Sequence, residues 1–243
     1  MKTILITGAT SGIGEACVTE FLQAGYQVIA HGRNQEKLSE LTHRENSKSL
    51  QTICFDLENV SEMEHKLESI GPVHILLNNA GVFQRKSWLE SSTDDFDFLF
   101  NINVRSVYFL TRKIIEKMQS FDLEGLVLNN SSTLGTKPAP ETSLYSASKA
   151  ALNSLTQCLA AEFAPKIRAN CILPGVVDTP IHSKNMGEKA AQAFYEDIGS
   201  IHPLGRVGTS RELARLFLYL ASEDLKWMTG SLITMDGGIS LVT

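Results

Sequence analysis

Short hydrophobic runs alternate along the chain with longer amphipathic stretches. The short runs predict buried β-strands at Ile4–Ile6, Val28–Ala30, Leu50–Phe55, Val73–Leu77, Leu126–Leu128, Ala169–Leu173 and Leu232–Thr234. The amphipathic stretches have helical periodicity and predict helices at Gly12–Ala24, Glu62–Ile70, Asp95–Met118, Leu144–Ala164 and Arg211–Ala221. This alternation is typical of a parallel sheet with helices on both faces. Because crossovers between parallel strands are right-handed, we predict an α/β fold with a doubly wound parallel sheet.

The length of 243 residues suits one α/β domain, and no linker, internal repeat or low-complexity tract divides the sequence. We therefore predict a single domain over residues 1–243. The segment from about 178 to 208 departs from the alternation, because it is long, mixed in character and interrupted by proline and glycine. Insertions of this kind often cover a binding site, and we predict a substrate lid there.

Composition and charge exclude several classes of protein. Hydrophobic residues make up 43% of the chain and charged residues 20%, as in ordinary soluble globular proteins. The net charge is −5 and there is no dense run of basic residues, so we expect no nucleic-acid partner. No apolar stretch reaches the roughly 18 residues of a membrane span. The first strand follows Met1 too closely for a signal peptide, and we expect a cytoplasmic protein.

Neither the cysteines nor the histidines have the spacing of metal ligands. Cys17, Cys54, Cys158 and Cys171 form no C-x-x-C pair and lie among apolar residues, which predicts buried free thiols in a reducing compartment. The six histidines are scattered and form no H-E-x-x-H motif, so we predict no protein-bound metal.

A glycine-rich turn, Thr7-Gly8-Ala9-Thr10-Ser11-Gly12-Ile13-Gly14, joins the first predicted strand to the first helix. Glycines allow a tight turn and let backbone N–H groups approach an anion, and the helix N-terminus adds partial positive charge. We predict that this loop binds the phosphates of a dinucleotide, with a plain tight turn as the alternative. The spacing is not G-x-x-x-x-G-K-[ST], which disfavours a nucleotide triphosphatase.

The end of the second strand bears on the choice of dinucleotide. A carboxylate near this position would bind a ribose 2′-hydroxyl and favour NAD. The sequence has Gly32 followed by Arg33 instead, and a guanidinium pairs well with a 2′-phosphate. The sequence therefore favours NADP(H), while a solvated Arg33 at the end of a strand is the alternative interpretation.

Two further strand ends carry candidate binding residues. Asp56 follows the third strand, where it can either accept a hydrogen bond from an adenine amino group or cap the next helix. Asn78-Asn79-Ala80-Gly81 follows the fourth strand, and its small residues let the backbone pass close to a ligand. Ligands of such sheets bind at this carboxyl edge.

The candidate chemistry lies in Tyr145 and Lys149, which a helix places on one face because they are four residues apart. Tyrosine has an ordinary pKa of about 10. A cation about 4 Å away contributes about 4 kcal/mol at an effective dielectric of about 20, which predicts a pKa lowered by roughly three units. Ser132 follows the fifth strand and is placed to bind the same substrate oxygen. An incidental Tyr/Lys pair on an amphipathic helix is the alternative.

In this order, the motifs resemble those of short-chain dehydrogenases/reductases over essentially the whole chain. The resemblance rests on Thr7–Gly14, Asp56, Asn78–Gly81, Asn103, Ser132, Tyr145, Lys149, Pro174-Gly175 and Asp236-Gly237-Gly238. It implies a Rossmann-type domain with a seven-stranded parallel sheet, commonly assembled as a homotetramer. It also implies hydride transfer between NADP(H) and a carbonyl or secondary alcohol.

The resemblance also implies roles for individual residues. Tyr145 would be the acid/base, Lys149 would lower its pKa and hold the nicotinamide ribose, and Ser132 would polarise the carbonyl. Asn103 would hold a water that links Lys149 to solvent. The implied cofactor-binding set comprises Gly8, Thr10, Ser11, Gly12, Ile13, Gly14, Arg33, Asp56, Leu57, Asn79, Ala80, Gly81, Tyr145, Lys149, Pro174, Gly175, Val177 and Thr179.

The sequence departs from the family pattern at two places. Asn130 stands where the family usually has an apolar residue, and its amide must find a partner or lose about 1–3 kcal/mol. Ser11 occupies a loop position that is often basic in members that prefer NADP.

The substrate stays open between two groups of reductases. The overall likeness is greatest to 3-oxoacyl-thioester reductases, and the region Gly71-Pro72-Val73 and the chain length resemble xylulose or dicarbonyl reductases. An acyl carrier protein needs a basic patch, for which the candidates are Arg105, Arg112, Lys113 and Lys117. A non-catalytic nicotinamide sensor and a sugar-nucleotide epimerase or dehydratase are alternatives of other classes. The Asn/Ser/Tyr/Lys set disfavours the sensor, and the lack of a larger substrate domain disfavours the epimerase or dehydratase.

Overall fold

Seven strands form one parallel sheet in this computed structural model, which describes residues 1–181, 183 and 187–242. The strands of the chain are β1 (Thr3–Ile6), β2 (Gln27–Gly32), β3 (Leu50–Cys54), β4 (Ile75–Asn78), β5 (Gly125–Asn130), β6 (Ile167–Pro174), β7 (Val177–Asp178), β8 (Gly208–Thr209) and β9 (Leu232–Met235). The order in the sheet is β3-β2-β1-β4-β5-β6-β9, and β7 pairs with β8 in a separate parallel ribbon. The prediction of a seven-stranded, doubly wound parallel sheet is confirmed.

The helices cover both faces of this sheet. The α-helices that lie wholly within the described residues are α1 (Gly12–Gln23), α2 (Gln35–Glu45), α3 (Val60–Glu68), α4 (Thr93–Phe100), α5 (Ser106–Ser120), α6 (Ser143–Phe163), α7 (Glu188–Ile201) and α8 (Ser210–Leu220). Successive side chains of a strand point to opposite faces, so each strand feeds two cores. Ile4 and Ile6 pack with Phe21 of α1 and Phe217 of α8, whereas Leu5 belongs to the core on the other face. Burial on both faces explains why the central strands β1 and β4 appear as short hydrophobic runs.

The strand order reverses between β1 and β4, which lie side by side at the centre of the sheet. At such a switch point the two connecting chains leave in opposite directions and open a crevice at the carboxyl edge. The glycine-rich turn after β1 and the segment Asn78–Gly81 after β4 both lie at this edge. The topology therefore brings together two motifs that are about 70 residues apart in the sequence.

The predicted helix Asp95–Met118 is not a single regular α-helix. A π-helical turn, Asn101–Arg105, separates α4 from α5. Helix α2 was not among the predicted helices, because it is strongly polar and buries only Leu38 and Leu41. The predicted lid, 178–208, contains α7 and the ends of the β7–β8 ribbon, while Lys184 and Met186 lie outside the described residues.

All four cysteines are free, but the prediction that all are buried is wrong. Cys17 and Cys171 are buried, Cys54 is half-buried and Cys158 is exposed on α6. A helix turns neighbouring residues to different faces, so apolar neighbours in the sequence do not imply burial.

No helix in the described part of the chain is both long and apolar enough to cross a membrane. Within those same residues, no three His, Cys, Asp or Glu side chains gather as a metal-binding group.

Candidate active site

The glycine-rich turn has a backbone shape that requires glycine. Gly8 and Gly12 have φ values of 64° and 56°, in the left-handed region that side chains disfavour. A Cβ on Gly14 would overlap the carbonyl oxygen of Gly8. The side chain of Ser11, the residue before α1, does not cap the helix, so it satisfies none of the N–H groups of the first turn. The turn thus presents a helix N-terminus suited to an anion.

A cleft of about 410 Å³ lies over this turn at the carboxyl edge of the sheet. The predicted cofactor residues that line it are Gly8, Thr10, Ser11, Gly12, Ile13, Arg33, Asp56, Leu57, Asn79, Ala80, Gly81 and Thr179. The predicted residues outside its lining are Gly14, Tyr145, Lys149, Pro174, Gly175 and Val177. The remaining wall is formed by His31, Gly32, Val82, Phe83, Phe98, Ile102, Asn130, Pro180 and Ile181.

Arg33 and Asp56 are exposed side chains at one end of this cleft. Asp56 accepts a hydrogen bond from the N–H of Glu58 at 3.0 Å, whereas Asn59 caps α3 by accepting from the N–H of Glu62. Asn59 therefore caps α3, and helix capping is not the role of Asp56.

His31 lines the same end of the cleft, and sequence reasoning did not select it. Its Nε2 lies 3.1 Å from the carbonyl oxygen of Phe55, and the two rings are 4.0 Å apart. Burial lowers the pKa of His31 to about 4, and the Phe55 carbonyl only partly opposes this shift. The imidazole is therefore neutral at pH 7. In the sequence, His31 stands near the end of a buried strand, next to the position where a carboxylate would bind a ribose 2′-hydroxyl.

Asn79 ties the segment after β4 to the glycine-rich turn. Its side-chain Nδ2 donates to the carbonyl of Thr7 at 2.9 Å. The hydroxyl of Thr7 accepts in return from the N–H groups of Asn79 and Ala80, both at 3.0 Å. These bonds fix the floor of the cleft, because they join the ends of β1 and β4 without using a ligand.

Tyr145 and Lys149 lie on one face of α6, with the Lys149 Nζ 5.8 Å from the centre of the tyrosine ring. Ser132, two residues after β5, lies close enough to Tyr145 for its hydroxyl to lower the pKa of the phenol. The ring of Phe83 packs edge-to-face on Tyr145, with ring centres 4.9 Å apart. The structure thus brings Ser132, Tyr145 and Lys149 together beside an aromatic wall.

The predicted lowering of the Tyr145 pKa is not what the structure shows. Burial raises the pKa of Tyr145 to about 12, and the nearby Ser132 hydroxyl only partly offsets this. Burial likewise lowers the pKa of Lys149 to about 8, because the ammonium loses its hydration. The prediction treated the pair as two charges at a fixed distance, and it left out the desolvation of each group.

Asn103 sits in the π-helical turn and is almost completely buried. Its side chain accepts from the N–H of Val82 and donates to the carbonyl of Val82, both at 2.9 Å. It also donates to Ser148 at 3.1 Å. These contacts place it beside the lysine: a Cβ on Gly81 would lie 3.2 Å from Asn103 Oδ1 and 3.5 Å from Lys149 Nζ. That Asn103 holds a water stays a prediction.

The segment after β6 divides into buried and exposed parts. Gly175 packs closely against the backbone of Asp236, and Val177 is buried in one of the two cores. Their predicted contacts with a cofactor stay predictions. Thr179 lines the cleft, and its carbonyl accepts a hydrogen bond from the hydroxyl of Tyr195 at 2.7 Å. This bond ties α7, within the predicted lid, to the wall of the cleft.

A family model described as enoyl-(acyl carrier protein) reductase matches residues 8–240 of the chain. A member of the short-chain dehydrogenase/reductase group in Xenopus laevis, named dehydrogenase/reductase SDR family member 6, is 35% identical over 243 residues. That alignment covers 99% of this chain and 98% of the relative. The chain belongs to the short-chain dehydrogenase/reductase family. Membership in this family makes it an oxidoreductase of alcohol and carbonyl groups.

Two further family members are similar over their whole length. The 3-oxoacyl-[acyl-carrier-protein] reductase FabG of Thermotoga maritima is 33% identical, with 98% of this chain and 97% of the relative covered. L-xylulose reductase of Mus musculus is also 33% identical, with 98% and 96% covered. A solved structure titled 4-hydroxyisoleucine dehydrogenase complexed with NADH has a TM-score of 0.89 and 30% identity, and the match covers both chains completely.

Proposed function

We propose that this protein is an NADP(H)-dependent ketoreductase that transfers a hydride between the nicotinamide and a carbonyl group or secondary alcohol. The observation that carries the proposal is the position of the candidate binding and catalytic residues along one cleft. Arg33 lies at one end of the cleft, and Gly81 and Phe83 line it further along. Lys149 Nζ lies near Gly81, and Tyr145 packs against Phe83.

The residues present fit a dinucleotide. The turn Gly8–Gly14 leaves room for phosphates against the N-terminus of α1, because side chains there would be strained or would overlap the backbone. Arg33 is exposed and Gly32 carries no carboxylate, which suits a 2′-phosphate better than a free 2′-hydroxyl. The NADH complex of a family member supports a nicotinamide dinucleotide. The bound cofactor supplies the hydride.

The proton and the charge stabilisation come from this chain. Ser132 and Tyr145 donate hydrogen bonds to the carbonyl oxygen, which gains negative charge as reduction proceeds. With a pKa of about 12, Tyr145 stays protonated at neutral pH and can give its proton to the alkoxide. Lys149 is half protonated near pH 8, and its charged form stabilises the tyrosinate that remains.

The substrate we propose first is a 3-oxoacyl thioester, in line with the likeness to the Thermotoga reductase. One observation favours a second candidate, a sugar or dicarbonyl of the kind that L-xylulose reductase acts on. Arg112 pairs with Glu116 at 3.0 Å, and Lys113 lies 4.0 Å from Glu68, so these two cations are partly neutralised. An acidic carrier protein would therefore meet a weaker basic patch than the sequence suggests.

The first test is the oxidation of NADPH by the purified protein, followed by absorbance, with 3-oxoacyl thioesters, xylulose, diketones and quinones as substrates. We expect turnover of at least one of these classes.

Tyr145→Phe should lower kcat by about 10²- to 10⁴-fold, because it removes the proton donor, while NADPH still binds. Near-normal turnover by this variant would contradict the assignment. Binding of NADPH without turnover of any carbonyl would support a sensor, and a cofactor recycled without net oxidation would support an epimerase or dehydratase.

We also infer from the family resemblance that the protein is a cytoplasmic homotetramer of single-domain subunits. Exposed aromatic side chains on α4 and α5, among them Phe96 and Tyr108, support the presence of a subunit interface.

A further inference from the structure

Asn130, at the end of β5, has a side chain of fixed orientation. Its Nδ2 donates to the Oδ1 of Asn79 at 2.9 Å. The Nδ2 of Asn79 is already used by the carbonyl of Thr7 at 2.9 Å, so Asn79 must present its oxygen to Asn130. Asn130 must therefore present its nitrogen to Asn79, and its own oxygen is turned away from this pair.

The backbone of the same residue holds the lysine of the active site. Lys149 donates from Nζ to the carbonyl oxygen of Asn130 at 2.9 Å. The hydroxyl of the next residue, Ser131, donates to the carbonyl of Lys149 at 3.2 Å. Asn130 is thus bonded to the glycine-rich turn through Asn79 and to the proton-transfer group through Lys149.

The side-chain oxygen of Asn130 is the member of this network that lacks a partner. It is buried, and no residue in the described part of the chain donates a hydrogen bond to it. An unpaired buried acceptor destabilises a protein by about 1–3 kcal/mol, and nothing in the described packing around Asn130 compensates for this oxygen. Asn130 also lines the cleft, on the side where Lys149 approaches Gly81.

We propose that Asn130 is a positioning residue for the nicotinamide half of the dinucleotide, whose side-chain oxygen accepts a hydrogen bond from a hydroxyl of the nicotinamide ribose. The inference rests on the proposed function, because it assumes that this cleft takes a nicotinamide dinucleotide. Asn79 holds the amide in place, and the carbonyl of Asn130 holds Lys149 beside the same sugar. The residue then stabilises the complex and leaves the free protein with an unsatisfied acceptor.

The test compares wild type with Asn130→Ile, which restores an apolar residue at this position. Dissociation constants for NADPH and NADH are measured by titration of nucleotide fluorescence, and the Tm is measured without nucleotide. We expect both dissociation constants to rise about tenfold, because the ribose is common to the two nucleotides. The Tm of the free protein should stay about equal, because Asn130→Ile removes one unsatisfied acceptor and takes the donor away from another, the Oδ1 of Asn79.

Asn129→Val is the matched control. Asn129 lies on the opposite face of the same strand, where its amide bonds Asn78 at 2.9 Å and Thr156 at 2.8 Å. Its loss should lower the Tm and leave both dissociation constants unchanged. If Asn130→Ile does not fold, Asn130→Thr is measured in its place, and affinity should again fall without a matching loss of Tm.

Unchanged nucleotide affinity in a folded Asn130 variant overturns the inference, as does a loss of Tm with no effect on affinity. Because affinity is read without turnover, a wild-type protein that binds nucleotides but reduces no carbonyl contradicts only the proposed activity. A wild-type protein that binds neither nucleotide contradicts the proposed function and this inference together.

Discussion

At the scale of single residues, burial decides the properties of the two groups at the centre of the site. Tyr145 and Lys149 are both inside the protein, and each is pushed toward its neutral form. A neutral phenol is the form that can donate a proton to an alkoxide. The neutral phenol therefore fits the proton-donor role in the proposed carbonyl reduction.

The shift of Lys149 predicts a conflict between stability and activity. Its pKa is about 8 in the folded protein against 10.5 ordinarily, so between these values the unfolded chain binds the extra proton and stability rises with pH. At pH 7 the folded protein carries a buried cation. We expect Lys149→Met to abolish turnover yet raise the free energy of unfolding at pH 7 by about 1–2 kcal/mol. Urea denaturation at several pH values measures this.

The control in the urea denaturation experiment is Lys48→Met, which removes an exposed lysine and should change neither activity nor stability. The variant Lys149→Met should also lose the rise in stability between pH 8 and 10.5. A Lys149→Met protein that is less stable than wild type at pH 7 would show that the bond from Lys149 to the carbonyl of Asn130 outweighs the desolvation of the ammonium.

Arg33 gives a prediction about cofactor choice. We expect Arg33→Ala to raise the KM for NADPH about 10- to 100-fold with little effect on NADH, because only NADPH carries the 2′-phosphate that a guanidinium binds. Steady-state kinetics with both cofactors measure the split. Arg44→Ala is the control, since Arg44 is exposed on α2, pairs with Glu15 and is not part of the cleft. Equal effects on the two cofactors would contradict the role of Arg33.

At the scale of secondary-structure elements, the π-helical turn Asn101–Arg105 has a clear structural consequence. It interrupts the regular helical register between α4 and α5, and Asn103 within it bonds both backbone polar groups of Val82. The turn thereby fixes the segment after Gly81, which forms part of the cleft wall. Hydrophobic periodicity does not reveal such a turn, because its apolar residues still fall at helical spacing.

Helix α8 offers a test at this scale. Thr209 and Glu212 form a capping box: the Thr209 hydroxyl accepts from the N–H of Glu212, and the carboxylate accepts from the N–H of Thr209. Thr209→Ala should lower the free energy of unfolding by about 1 kcal/mol and the Tm by about 2–4 °C. Activity should not change, because α8 packs on the core and not on the cleft. Ser39→Ala, an exposed change on α2, serves as the control for thermal denaturation.

At the scale of the whole molecule, the proposed tetramer can be measured directly. Light scattering coupled to gel filtration should give a mass about four times that of the 243-residue chain. The physical reason is that exposed aromatic side chains such as Phe96 and Tyr108 gain free energy when a second subunit covers them. Tyr108→Glu should shift the mass toward smaller species. Tyr219 on α8 is also exposed, and Tyr219→Glu serves as the comparison variant. A wild-type mass of one chain would contradict the proposal.

The strands and the order of the motifs were predictable from the sequence because they depend on local features. A strand buried on both faces is apolar along its length, as in β1 and β4, and mainly hydrophobic runs predicted all seven strands of the sheet to within a few residues. Helix α2, the π-helical turn and the exposure of Cys158 were not predictable in this way. The exposure of Cys158 depends on which face of α6 meets the rest of the protein, α2 has too few apolar residues to show a pattern, and the π-helical turn keeps its apolar residues at helical spacing.

The sequence by itself determined the α/β sheet and the identity of the chemical groups, since hydrophobic pattern and residue type are properties of short segments. Only the tertiary structure decided their electrostatics and connections. The pKa values of Tyr145 and Lys149 sum the burial contributed by the whole surrounding fold, and the bonds of Asn130 join residues 51 and 19 positions away. Desolvation and long-range hydrogen bonds exist only after the chain has folded, so no local pattern encodes them.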